Sequence, residues 1–132
     1  MKPGMVVLWK KFEFEDGTQK DKLFIMLSHP RNHACLAVKT TSQQKWRDTD
    51  EGCHNDKGYF FVKGPSKLRW FNVNTWVIME QPLLFDCDKL KAAVDSDEAE
   101  VKTYLGTQFI SELRNCLSNS QDISEEQLAH LR

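Results

Sequence analysis

Between Lys22 and Arg47 the chain concentrates the side chains best suited to chemistry. Thr40, Thr41, Ser42, Gln43 and Gln44 supply hydroxyl and amide groups at consecutive positions, and Lys45, Trp46 and Arg47 follow at once. Hydroxyls and amides donate and accept hydrogen bonds, the two cations meet anions, and the indole offers a stacking face. That combination suits a phosphate-bearing chain with exposed bases, namely single-stranded nucleic acid. The substrate-binding candidates are therefore Thr41, Ser42, Gln43, Lys45, Trp46 and Arg47, with Arg31 from the neighbouring loop. Trp46 is the aromatic expected to stack on a base. The competing expectation is that it folds back over the sheet.

Two apolar runs, Leu23–Leu27 and Ala34–Val38, must deliver these groups. Both read as strands, joined by a polar loop around Pro30. Residues 5–14 give another strand, which turns at Glu15-Asp16-Gly17-Thr18, where Asp-Gly favours a hairpin. The polar stretch 41–58 is long for a loop in a compact domain, which marks it as functional or mobile. Tyr59–Lys63 and Thr75–Met79 resume the strand pattern, with a turn at Gly64-Pro65-Ser66, and Leu68–Phe71 reads as strand or loop. Pro82 is expected to end the sheet. Beyond it, Asp86–Val94, Glu98–Tyr104 and Thr107–Ser118 read as helices. In the last, Phe109, Ile110, Leu113, Cys116 and Leu117 make one apolar stripe. Ser124 with Gln127 forms a capping-box pattern for a final turn. Strands first and helices last give an α+β class. Within it we expect one domain over 1–132, a small antiparallel β-barrel over about 1–82 followed by C-terminal helices over about 83–132.

The charge distribution agrees with an anionic partner. Residues 1–70 hold 13 Lys/Arg against 8 Asp/Glu, a net of +5, and residues 71–132 hold 5 against 11, a net of −6. Lysines that merely solvate a β-rich surface would give the same balance. No apolar run approaches the roughly 20 residues that cross a bilayer, and the opening residues do not read as a signal peptide. The expected location is cytoplasmic, with no membrane partner. In a reducing compartment Cys35, Cys53, Cys87 and Cys116 are expected as thiols, with Cys35 and Cys116 in the core. His29, His33, Cys35, Cys53 and His54 match no zinc spacing, so no metal is expected. A Cys53–His54 nucleophile lacks the geometry such a pair requires, and no phosphate-binding glycine loop or other cofactor motif is present.

The opening residues resemble those of a known family. Pro3-Gly4, the strand Val6–Phe12, Gly17, Leu27-Ser28 and the ending Lys39-Thr40-Thr41-Ser42 are similar to the first three strands of the MazF/PemK toxins, over roughly residues 2–45. The Gly52-Cys53-His54 segment and the Asn74-Thr75-Trp76-Val77 strand depart from that pattern. The resemblance implies an SH3-like barrel, often dimeric. It also implies a metal-independent endoribonuclease acting on single-stranded RNA and paired with an antitoxin protein. The family's threonine at the end of the third strand falls on Thr40. Its arginine before the second strand falls on Lys22, and the following proline on Leu23. The catalytic candidates so implied are Lys22 and Thr40, with Lys22 stabilising phosphate charge. Arginine presents a rigid bidentate fork and lysine a mobile point charge. A non-catalytic SH3-like module that binds a protein partner, or RNA without cleavage, is therefore the alternative.

Overall fold

A computed structural model describes residues 2–132. The apolar runs of the N-terminal half form β1 (Met5–Glu13), β2 (Gln19–Met26) and β3 (Ala34–Thr41). After the long loop come β4 (Gly52–His54), β5 (Tyr59–Val62) and β6 (Thr75–Asp86). The remainder is α1 (Cys87–Asp95), β7 (Ala99–Tyr104), α2 (Thr107–Ser118) and α3 (Glu125–Ala129). The strands make one antiparallel sheet in the order β4-β5-β6-β3-β2-β1-β7. The class is α+β, and no pairing among the described residues joins β4 to β7, so the sheet is open.

Period-two alternation divides each strand between the sheet's two faces. Val6, Ile25, Leu27, Leu36, Val38, Val77 and Met79 pack with the α2 residues Phe109, Ile110, Leu113 and Leu117. Met5, Val7, Phe24, Met26, Cys35 and Ala37 pack on the opposite side with Leu90 and Ala93 of α1. Tyr59, Phe61, Trp76 and Ile78 form a third, smaller cluster. Covering both faces explains why Phe24–Leu27 and Cys35–Val38 are apolar without interruption.

Three expectations need correction. The strand containing Thr75 does not stop at Pro82 but runs on to Asp86. Its ladder with β3 steps from Lys39↔Ile78 to Ala37↔Leu83, so several residues of β6 bulge outward, with Gln81 at φ 51°. A bulge is where proline's missing N–H costs no ladder bond. Residues 99–104 are a strand rather than a helix, pairing with β1 at the sheet edge. Ala99, Val101 and Thr103 are less exposed than Glu100, Lys102 and Tyr104, a period of two. Finally, Cys53 and Cys116 are joined by a disulfide and are not thiols. They stand 63 positions apart in sequence, and only the packing of β4 against α2 brings them together. Cys35 and Cys87 retain their thiols, with sulfurs 2.9 Å apart. Burial first, then the hydrogen bond with Cys87, pushes the Cys35 thiol up to about 12.

The helix ends follow their local chemistry. The Asp86 carboxylate accepts from the backbone N–H groups of Asp88 and Lys89 and so caps α1. Ser124 and Gln127 complete the capping box of α3. No described helix is long and apolar enough to cross a membrane.

Candidate functional site

The site arises where the sheet splits. β2 pairs with β3 only from Met26↔Ala37 to Phe24↔Lys39. Beyond that point β2 stays with β1 as far as Gln19, while β3 stays with β6 as far as Thr41. Continued register would set Leu23 against Thr40 and Lys22 against Thr41. Instead the two strands diverge, and a cleft of about 830 Å³ opens between them.

Seven of the residues expected from the sequence line this cleft: Lys22, Thr40, Thr41, Ser42, Gln43, Lys45 and Arg47. Lys20 and Lys39 join them, which makes five cationic side chains against two carboxylates, Asp21 and Glu80. None of the five cations is in a salt bridge among the described residues. Asp21 is engaged elsewhere and accepts the Lys11 backbone N–H at 3.0 Å. The Glu80 side chain lies against Gly58, where any Cβ would collide with it.

Lys22 is half-buried, and its pKa is lowered. Burial is the largest cause, followed by the nearby charges of Lys39, Lys20 and Arg47. Concentrated, uncompensated positive charge favours any anion that enters. The same depression makes the Lys22 ammonium a better proton donor than an ordinary lysine. Thr40 is buried, and its hydroxyl has no hydrogen-bond partner among the described residues.

The loop after β3 is held in place by its own polar groups. Gln44 Nε2 donates to the Arg47 carbonyl, and Arg47 Nη1 donates to the Gln43 carbonyl. Gln43 N donates to Thr41 Oγ1. The Asp48 backbone N–H donates to the Tyr59 hydroxyl, and Trp76 Nε1 donates to the Asp48 carbonyl. The Asp48 carboxylate pairs with Lys57. The long loop is thus anchored to β5 and β6 rather than loose.

Two expected residues lie elsewhere. Trp46 does not line the cleft. Its ring packs edge-on against Tyr59, and the side chain remains 62% exposed. At that exposure the indole neither stands in the cleft nor closes over the sheet. Arg31 sits at the far end of the β2–β3 hairpin, where Nη1 donates to the Ala129 carbonyl at 2.7 Å. Six residue steps along β3, about 20 Å, separate its bridge partner Ala34 from Thr40. Arg31 fastens α3 and leaves the cleft to other cations.

Sequence reasoning missed Lys20, Lys39, Trp70, Asn72 and Gln81, all of which line the cleft. Lys20 stands two residues from Lys22 on one strand, so period two was a usable signal for it, while Lys39 is placed only by its cross-strand pairing with Phe24. Trp70, Asn72 and Gln81 come from a loop and a bulge, which left no such trace. Lys45, Trp70 and Gln81 also adopt positive φ, at 50°, 73° and 51°. Such backbone costs of order 1–3 kcal/mol per residue and persists only where the surroundings enforce it, often at functional sites. Among the described residues, no group of three or more His, Cys, Asp or Glu is placed to hold a metal ion. Comparisons with family models, curated proteins and solved structures return no match for this chain.

Proposed function

We propose that the protein binds single-stranded RNA in the cleft between β2 and β3, as a toxin-like ribonuclease of the MazF/PemK kind. The observation that carries this reading is the cluster of Lys20, Lys22, Lys39, Lys45 and Arg47, unpaired with any carboxylate, around the hydroxyls of Thr40 and Thr41. Cations of that number suit a phosphodiester backbone, whose neutralisation drives binding through counterion release. We read the curled sheet as an SH3-like barrel left open by the divergence of β2 and β3. An antitoxin partner and a homodimer belong to the same reading.

In the reaction so proposed, the RNA 2′-oxygen attacks the adjacent phosphorus and gives up its proton to solvent water, since no side-chain base is assigned to that step. The bond to the 5′-oxygen breaks, and that oxygen leaves as a hydroxyl. The products carry 2′,3′-cyclic phosphate and 5′-hydroxyl ends. Lys22 stabilises the added negative charge and can protonate the leaving oxygen, while Thr40 hydrogen-bonds at the reacting centre. A second reading, RNA or protein binding without scission, is favoured by one observation. Among the described residues no imidazole lines the cleft, and both of its carboxylates are turned to other contacts.

Incubation of the protein with a long single-stranded RNA in EDTA tests the first reading. Discrete fragments with cyclic phosphate ends are expected, and Lys22→Ala and Thr40→Ala should each slow their appearance by about 10²–10⁴-fold. Intact RNA after prolonged incubation would leave binding alone. Cleavage by both variants at the parent rate would refute the site.

A further inference from the structure

We propose that Trp70 is the stacking platform on which this cleft holds an unpaired base. The inference rests on the reading of the cleft as an RNA site and adds the group that would select single strands. A cationic groove alone binds any polyanion. A base-stacking face is what discriminates in favour of a strand with exposed bases.

Three observations converge on Trp70. First, it is the tryptophan in the wall of the cleft, half-buried and so open to the cleft in part, while Trp46 packs on Tyr59 outside it. Second, its backbone is held at φ 73°, where a bulky residue is a steric outlier.

Third, the loop that carries Trp70 is built to enforce that position. Ser66 N donates to the Phe71 carbonyl, and Arg69 N donates to Ser66 Oγ. Gly64 N donates to Asn74 Oδ1, and Gly64 packs so tightly on the Val73 backbone that no Cβ fits. Arg69 adds two ion pairs, to Glu51 at 3.1 Å and to Glu112 at 2.8 Å, while its guanidinium sits over the Phe109 ring. A loop fixed at both ends and across its middle, with the indole edge-on to Phe71, lowers the ordering cost of binding. The exposed Val73 side chain, also in the cleft wall, extends the apolar surface beside it.

Fluorescence anisotropy with a labelled oligouridylate, and with an abasic oligomer of the same phosphate number, tests this. Trp70→Leu keeps apolar bulk but removes the ring. It should weaken oligouridylate binding about 5- to 150-fold, since stacking on one base is worth about 1–3 kcal/mol. It should leave the abasic oligomer unchanged. Trp70→Phe should restore most of the loss, and a purely structural tryptophan would not show that dependence on an aromatic ring. If Trp70→Leu binds oligouridylate like the parent while Lys39→Ala does not, the platform is refuted and the cationic site stands. If Trp70→Leu loses both oligomers equally, the ring is structural and the inference fails. If neither oligomer binds the parent protein, the RNA reading fails and the platform with it.

Discussion

Lys22 carries the tension in this molecule. Burial and the charges of Lys39, Lys20 and Arg47 all disfavour its ammonium form. The unfolded chain therefore holds this proton more tightly than the folded one. The destabilisation is full at neutral pH and fades as pH rises from the lowered folded value toward the ordinary 10.5. A bound phosphate would compensate the charge. Lys22→Met should accordingly raise the melting temperature at pH 7 while reducing RNA affinity. The slope of log affinity against log salt should flatten by about 0.7, the share of one phosphate contact on a single strand. Calorimetry and salt-titrated anisotropy on the same preparation read both effects. A variant that is less stable and binds equally well would contradict this account of Lys22. The hydroxyl cluster at Thr40 and Thr41 was legible in the sequence because a strand ending in polar groups is unusual. Arg31 was misplaced on sequence proximity alone, although a loop that opens β3 must lie a strand's length from the residues that close it.

At the scale of elements, the long loop and its attachments explain both the legible and the illegible parts. Alternation exposed β1, short apolar and aromatic runs exposed β2, β3, β5 and the first part of β6, and the apolar stripe exposed α2. The bulge at Glu80–Pro82 hid the end of β6, because proline reads as a stop where only a kink was required. The edge strand β7 passed for helix although AEVKTY alternates, since charged residues suit both a solvated helix and a protected sheet edge. The Cys53–Cys116 disulfide was illegible because nothing local couples β4 to α2. Closing so long a loop restricts the unfolded chain, and disulfides of this kind contribute about 2–4 kcal/mol. Reduction, or Cys53→Ser, should lower the unfolding free energy from urea denaturation by that amount and move the midpoint downward. An unchanged midpoint would mean that β4 and the loop before it are held without the bond. The loop anchors at Asp48 and Arg69 make the direct effect on the cleft smaller than the effect on stability.

For the whole molecule, the cleft follows from a sheet that is paired at one end and split at the other. Two helices cover opposite faces and hold β2 and β3 together through Met26↔Ala37 and Phe24↔Lys39. Past those pairs β1 and β6 draw the strands apart, and the basic half of the chain lines the gap. The acidic half, net −6, lies mostly in the C-terminal elements away from it. Charge segregation was visible in the composition; the split that gives it a concave surface was not, because strand divergence depends on long-range pairing. The central claim is that this cleft is the RNA site, and a backbone amide NMR titration with a short single-stranded RNA tests it most directly. The account predicts that shifts concentrate at residues 20–23, 39–47 and 70–73, while Arg31 and the amides of α3 stay still. Shifts centred on α3 and the Arg31 loop, or none at millimolar RNA, would contradict it.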